Sequence, residues 1–329
     1  MKNITTWNGK SAPRIGIGTW VMGGEQYWDG KPTGWVGVDD QESLKTLHTA
    51  FDMGVRIIDT ANSYGGGHSE EIIAQALAQS DISRDEFIIC TKVGLDCNEE
   101  GNIIGMFDDK PTILRMIDDC LRRLKVEQID LVKFHLNEHP IDRSEVVFEA
   151  FSEARQAGKI AGFGWSTDDV EGATAFKNLE GYVAVQHNFS LFSPADEMLL
   201  ATDKANLWAF NRQPLAMGLL TGKYTANTTP FGKDDIRGSG FEWMRFFDEN
   251  GAPMKEFLAE LDQIRALITA DGRSLAQGAL GWCLAKGEHT IPLPGCRTPQ
   301  QAKDNFGVIE YGPLSVEIMK QLNEIMKNY

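Results

Sequence analysis

Eight apolar runs recur down this chain, and most are separated by stretches with helical spacing. In order they are RIGIGTW, VRIIDTA, FIICTKV, IDLVKFH, IAGFGWS, YVAVQHN, NLWAFNR and HTIPLP. Each is continuously apolar rather than alternating, which is how a strand covered on both faces reads. The spacing predicts a helix over 41–53, with Leu44, Leu47 and Phe51 on one face and Asp39 or Asp40 as N-cap. It predicts others over 68–79, capped by Ser69, over 111–125, where Pro111 suits the first turn, and over 144–156, closed by Gly158. Count, order and a length of 329 residues fit one common architecture together, an α/β fold of the (β/α)8 TIM-barrel type, expected as a single domain over 1–329. The opening KNITTWNGKSAP reads as a hairpin over the barrel floor, turning at Asn8-Gly9. A last helix over 315–328 carries Ile318, Leu322 and Ile325 on its packed face. The segment 225–253, after the seventh run, is long, aromatic and glycine-rich, and loops of that length in compact domains are usually lids or binding loops.

Charge narrows the partners. Lysine and arginine number 32 against 47 acids, a net charge of -15. Such a surface repels nucleic acid and anionic membrane, so a small-molecule partner is expected and an anionic ligand needs a local basic pocket. Five cysteines without a C-x-x-C pair argue against a disulfide framework or a zinc ribbon. Cys90 falls inside a strand, and Cys120 and Cys283 inside helices, as small core residues. No signal pattern opens the chain and no apolar run reaches bilayer length, so the expected compartment is the cytoplasm. Oligomeric state is not legible.

Two motifs imitate other chemistries. His135-Leu136-Asn137-Glu138-His139 spells H-x-x-E-H, a zinc-hydrolase pattern that needs both histidines on one helical face. Here it follows a strand and runs into Pro140, which disfavours helix before it, so no metal is expected. GLLTGK, residues 218–223, echoes a phosphate loop, but its glycine spacing is short and Tyr224 stands where the metal-binding hydroxyl belongs.

Three successive runs end in a titratable residue: Asp59 with Tyr64 just beyond, Lys92, and His135. That pattern describes an active site at one end of a parallel barrel. With DTANSYGGGHSEEIIAQAL, CTK, GKIAGFGWS, VAVQHN, PLAMGLLTGKY and IPLPGCRTPQQAKDN in order, nearly the whole chain resembles the aldo-keto reductases. The resemblance implies a carbonyl reductase or alcohol dehydrogenase with Asp59, Tyr64, Lys92 and His135 as catalytic residues.

The chemistry agrees with that assignment. Reducing a carbonyl takes a hydride on one side and a proton on the oxygen, and Tyr64 is the natural acid. An unperturbed tyrosine titrates near pH 10, and moving it ~3 units takes roughly 4 kcal/mol. One cation ~4 Å away at an effective dielectric of ~20 supplies about that much, so Lys92 is expected to depress the phenol, with Asp59 holding Lys92 charged. His135 is expected to orient the carbonyl.

Family resemblance also implies cofactor contacts from Thr19, Trp20, Asp59, Ser166, Thr167, Gln186, Gln213 and Leu215, with Thr167 replacing a more usual asparagine. Arg212 or Phe210 is expected to stack on the nicotinamide. Gly218, Lys223 and Gly295 suit a pyrophosphate, and Arg297, Gln301 and Asn305 the adenosine side, Arg297 favouring NADPH. Trp20, Trp28 or Trp35, Asn137 and aromatics of 225–253 are expected to line the substrate pocket. A second class is a nucleotide-binding regulatory subunit on the same fold, as in the family's potassium-channel partners.

Overall fold

The computed structural model describes residues 1–326. Eight strands form one parallel sheet: β1 Gly16–Gly18, β2 Ile57–Asp59, β3 Ile88–Val93, β4 Leu131–Phe134, β5 Phe163–Ser166, β6 Tyr182–Asn188, β7 Trp208–Arg212 and β8 Thr290–Pro292. They pair in chain order from β1 to β8. A parallel bridge between Gly18 and Gly295, with Gly18 N donating to Pro294 O at 3.1 Å, brings the two ends of the sheet together. All eight apolar runs are therefore strands of a (β/α)8 barrel.

The helices are α1 Asp40–Asp52, α2 His68–Ala78, α3 Lys110–Leu124, α4 Ile141–Gln156, α5 Val170–Ala175, α6 Asp196–Lys204, α7 Lys255–Ile268, α8 Leu275–Ala285, α9 Pro299–Phe306, α10 Val308–Tyr311 and α11 Val316–Met326. Asp39 caps α1, its carboxylate accepting from Glu42 N at 2.8 Å. Pro111 sits in the first turn of α3, where a missing N–H costs nothing. Two boundaries differ from expectation. Ser69 does not cap α2: Gly67, at φ +101, takes the N-cap place. The Ser69 hydroxyl instead lies among Thr19 O at 3.1 Å, Thr19 Oγ1 at 2.7 Å and Thr60 Oγ1 at 3.1 Å, tying α2 to β1 and β2. α4 starts three residues early at Ile141, and Gly158 (φ +76) follows the Ala157 cap. On α11, Leu322 is buried and Ile318 and Ile325 half-buried; positions 327–328 of the expected helix lie outside the described residues.

Two apolar regions hold the barrel. One lies between sheet and helices and includes Leu47, Phe51, Ile73, Ile117, Phe148 and Trp165. The other is inside the barrel: Ala12, Ile57, Ile88, Cys90, Leu131, Ala184, Phe210 and Ile291. Because side chains on a strand alternate, residues two apart share a face. The inward series therefore climb from Ile57 to Asp59, from Cys90 to Lys92, from Leu131 to Lys133, from Ala184 to Gln186, and from Phe210 to Arg212. The floor is closed by the N-terminal hairpin, Asn3–Thr5 against Ser11–Pro13, whose Trp7 meets Phe210 edge-on at 6.1 Å.

Two features sit over the opposite end. Lys31–Pro32, Tyr27–Trp28, Ile103–Met106 and Leu95–Cys97 form a small four-stranded sheet from the loops after β1 and β3. Its strands are two to four residues long, too short for a periodic signal. The segment 225–253 carries one 3-10 turn, Ile236–Gly238, and is ordered by Arg237. That guanidinium forks onto Asp235 at 2.8 and 2.6 Å, donates to the Tyr224 hydroxyl at 2.6 Å, and lies 3.6 Å from the Phe231 ring centre and 5.2 Å from that of Trp35. Among the described residues no helix is long and apolar enough to cross a membrane.

Candidate active site

At the C-terminal ends of the strands, the inward series converge on Asp59. Its Oδ2 accepts from Lys92 Nζ at 2.7 Å and from Gln186 Nε2 at 3.1 Å, and its Oδ1 accepts from Lys133 Nζ. Asp59, Lys92 and Lys133 are all buried. Burial opposes ionisation of Asp59, but the two lysines outweigh it and hold the carboxyl below its ordinary value. Burial is also the largest influence on Lys92 and Lys133 and draws both below the usual lysine value, with Asp59 resisting.

Lys92 reaches further, donating to Thr60 O at 2.7 Å and to the Tyr64 hydroxyl at 3.0 Å. An ammonium only donates, so the phenol oxygen accepts and its own proton is left to point elsewhere. The tyrosine is set by its turn. Gly65, Gly66 and Gly67 follow it at φ 59, 64 and 101. A Cβ on Gly65 would lie 1.9 Å from the Gly23 carbonyl oxygen, so no other residue fits there without moving the turn.

Lys92 does not depress the phenol as expected. Burial pushes Tyr64 above its ordinary value and Asp59 adds to the rise, with Lys133 and Arg212 pulling the other way. The expectation weighed one cation and omitted desolvation; burial is the largest influence, Asp59 adds to it, and the pull of Lys133 and Arg212 does not offset them. Tyr64 is thus a protonated acid at neutral pH. His135 closes the group, its ring centre 6.0 Å from that of Tyr64 and turned by 77°. Burial first, then Lys92, holds it well below the ordinary histidine value, so it is neutral at pH 7. Its Nδ1 is enclosed without a partner among the described residues.

The rim is laced together. Arg212 forks onto Asp168, with Nη1 at 3.2 Å. Asp168 Oδ1 also accepts from Asn188 N at 2.7 Å. Asn137 Oδ1 accepts from Asp168 N at 2.7 Å, and Thr167 Oγ1 donates to Asn137 O at 2.6 Å. Asn137 and Thr167 thus brace this rim. Phe210 cannot stack on a ligand at the mouth: it is fully buried in the barrel with Trp7 beneath and the Lys133 ammonium 4.7 Å from its ring centre.

Trp20 stands over Tyr64 with ring centres 6.3 Å apart, and Trp243 from the long segment stands 6.2 Å from Trp20. Trp35 is buried edge-on to Trp20 at 5.4 Å, supporting the wall rather than facing the mouth. Trp28 lies in the small sheet, paired with Ile103.

Of the residues expected to hold a nicotinamide cofactor, Thr19, Trp20 and Asp59 lie at the ends of β1 and β2, and the others lie on β5 to β7 or follow β5, β7 and β8. Ser166 and Gln186 are register partners, and Gln186 Oε1 is buried without a partner among the described residues, an acceptor suited to an amide N–H. Thr19 is turned inward, its hydroxyl donating to Asp59 O at 3.1 Å. After β7 the backbone turns left-handed at Gln213, Ala216, Met217 and Gly218, while Leu215 O accepts from Gly218 N at 2.9 Å. A Cβ on Gly218 would fill the space 3.1 Å from Lys223 Nζ, so the glycine keeps a cradle open beside that cation. Gly295 pairs with β1, and Arg297 Nη2 donates to Val36 O at 2.8 Å and Gly37 O at 2.7 Å. Its Nε and Nη1 make no hydrogen bond among the described residues, and its charge acts on the Asp235 carboxylate. Gln301 Oε1 accepts from Arg297 N at 2.8 Å, and Asn305 Nδ2 points to Cys296 Sγ at 3.2 Å, bracing the same loop. The residues present fit a nicotinamide dinucleotide.

His139 contacts Asp108 at 3.0 Å and Ser144 at 2.9 Å, and the chain from His135 to His139 is not helical, so the H-x-x-E-H spelling does not place its histidines on a helical face. Lys133 is the site residue missed from sequence. The signal was present: it lies two positions before His135, on the same face of an otherwise apolar strand.

Residues 14–327 match the model of the Aldo/keto reductase family, and the chain belongs to that family. It is an NAD(P)H-dependent oxidoreductase with carbonyl reductase activity. Among its relatives, "Aldo-keto reductase YhdN" of Bacillus subtilis is 33% identical over 97% of this chain and 92% of its own. The glycerol dehydrogenase AKR11B4 from Gluconobacter oxydans has a solved structure that superposes with a TM-score of 0.82 at 31% identity, covering 99% of this chain and 95% of its own. The NADH-specific methylglyoxal reductase of Escherichia coli is 25% identical over 95% of each chain.

Proposed function

We propose that this chain interconverts an aldehyde or ketone and its alcohol using NADPH, with Tyr64 delivering and recovering the proton. One observation carries the reading: Lys92 donates at once to the Asp59 carboxylate and to the Tyr64 oxygen, beside a neutral His135, at the C-terminal end of the barrel strands with Trp20 over Tyr64. The bound nicotinamide supplies or takes the hydride. Tyr64, its oxygen occupied by Lys92, aims its own proton at the substrate oxygen; His135 donates a second hydrogen bond to that oxygen and fixes its direction. As the proton leaves, Lys92 is already within hydrogen-bond distance of the oxygen that becomes charged, so little reorganisation is needed.

Ser166 and Gln186 would hold the carboxamide, Gly218 and Lys223 the pyrophosphate, and Gln301 and Asn305 the loop that faces the adenosine. Arg297, whose Nε and Nη1 make no hydrogen bond among the described residues, would take a 2′-phosphate, which favours NADPH although the Escherichia coli relative is named for NADH. Trp20 and Trp243 form the nearest substrate wall and suit a modest carbonyl, a sugar or a small aromatic aldehyde.

Loss of NADPH absorbance with a panel of aldehydes, ketones and sugars, and its gain with alcohols plus NADP, tests the reading. Tyr64→Phe should lower turnover by roughly 10²–10⁴-fold while cofactor affinity stays within a few-fold. Turnover by Tyr64→Phe near that of the wild type would remove the mechanism; equal Kd for NADPH and NADH would remove the cofactor preference.

A further inference from the structure

The barrel interior holds one carboxylate between two buried lysines. Lys133 and Lys92 are direct register partners on β4 and β3, and each takes one oxygen of Asp59. Counting -1 for Asp59 and +1 for each lysine leaves a net +1. Lys92 with Asp59 alone would sum to zero, and a neutral pair does little for an oxyanion beside it.

We propose that Lys133 is a positioning residue that sets the charge beneath Tyr64: by holding Oδ1 of Asp59 it leaves the cluster net positive, favouring negative charge on the phenol oxygen and on the substrate oxygen it serves. The inference rests on the reading of Tyr64 as the proton-transfer group. Lys133 acts through Asp59, since its side chain has no exposure and does not reach the mouth.

The groups around Lys133 agree with a charged ammonium. β2 contributes Asp59, the one carboxylate of the cluster. β3 contributes Lys92 and Cys90, whose thiol is pushed up by burial and stays neutral. β6 contributes the uncharged Gln186, and β7 contributes Arg212 higher up and the Phe210 ring face, 4.7 Å from Nζ. Burial is the largest influence and, with Lys92, draws the ammonium down, while the Asp59 carboxylate and the aromatic face favour the cation. Tyr64 and His135 lie beyond Lys92, with Lys133 among the charges that draw the phenol down.

The test compares the wild type with Lys133→Met, whose side chain has similar length without charge, and with Lys133→Gln should the methionine variant not fold. At saturating NADP, the rising limb of kcat/KM for alcohol oxidation should move up by about one pH unit, as for a unit charge roughly 10 Å away at an effective dielectric of ~20. Acetate should bind the NADP complex about tenfold more weakly, with acetamide unchanged. The double variant Asp59→Asn/Lys133→Met leaves Lys92 alone at +1, and acetate affinity should return toward the wild type. A merely structural lysine would lower Tm but leave the limb and the acetate-to-acetamide ratio in place; both staying within twofold of the wild type overturns the proposal. Should no alcohol be oxidised by the wild type, the proton-transfer reading fails, while the acetate measurement still decides whether Lys133 sets the charge.

Discussion

The lower and upper layers of the barrel interior are built by the same strands, yet they follow opposite chemical rules. Below, Ile57, Ile88, Cys90, Leu131, Ala184, Phe210 and Ile291 fill the space with apolar volume. One step of two residues higher stand Asp59, Lys92, Lys133 and Gln186, all buried and all polar. The lower layer is stabilised by area removed from water. The upper layer is three desolvated charges and an amide, and it persists because each has a bonded partner. The difference teaches where stability and chemistry part company in this fold: the lower layer holds the floor under the site, and the upper layer holds the protons.

The sharpest way to break the comparison is Lys92→Met. Carbonyl reduction should fall by about 10²-fold or more, as for loss of a pre-set electrostatic donor. Stability should fall far less than the 3–5 kcal/mol typical of a broken buried pair, because Lys133 still neutralises Asp59. Calorimetry beside steady-state kinetics reads both, and a collapse of Tm would merge the two layers into one structural core. Leu131→Ala is the converse. It should cost ~2–5 kcal/mol of stability by denaturant unfolding, with kcat changed only a few-fold.

A smaller effect is expected at the wall. Trp243→Ala removes the half-exposed ring beside Trp20 and should raise KM several-fold for bulky carbonyls, leaving kcat for the smallest aldehydes in place. Smallest of all is pH. Tyr64 is held above its ordinary value of 10, so it stays protonated as the pH rises to 9, and His135 is held well below 6.5, so it stays neutral as the pH falls to 6.5. Neither donor changes state in that window, and kcat/KM for reduction should be flat from pH 6.5 to 9. A tenfold step inside it would show that one of the two shifts has the wrong sign.

Much of this was legible in the chain. Strands covered on both faces write themselves as continuous apolar runs, and a residue closing such a run sits at the strand end, so Asp59, Lys92 and His135 could be placed at the mouth. Tyr64 followed from its place on the loop just beyond the strand-ending Asp59, as the natural acid there. The small sheet over the mouth was not legible, because two- to four-residue strands have no period. Ser69 satisfied every local rule for an N-cap and was drawn away by Thr19 and Thr60, which approach only when β1 and β2 are neighbours. Between Arg212 and Phe210 the sequence left the stacking residue open, and burial of Phe210 in the lower layer excludes it.

By itself, the sequence determined the barrel, the order of its strands, and the acid, lysine, tyrosine and histidine at their ends, because periodicity and strand parity are local properties of the chain. Only the tertiary structure decided that a second lysine shares Asp59 and that Tyr64 is held protonated rather than brought toward neutrality. Those outcomes depend on how deeply each charge is buried and which oxygen each ammonium reaches. They are properties of distance and desolvation among five separate strands, and no single segment carries them.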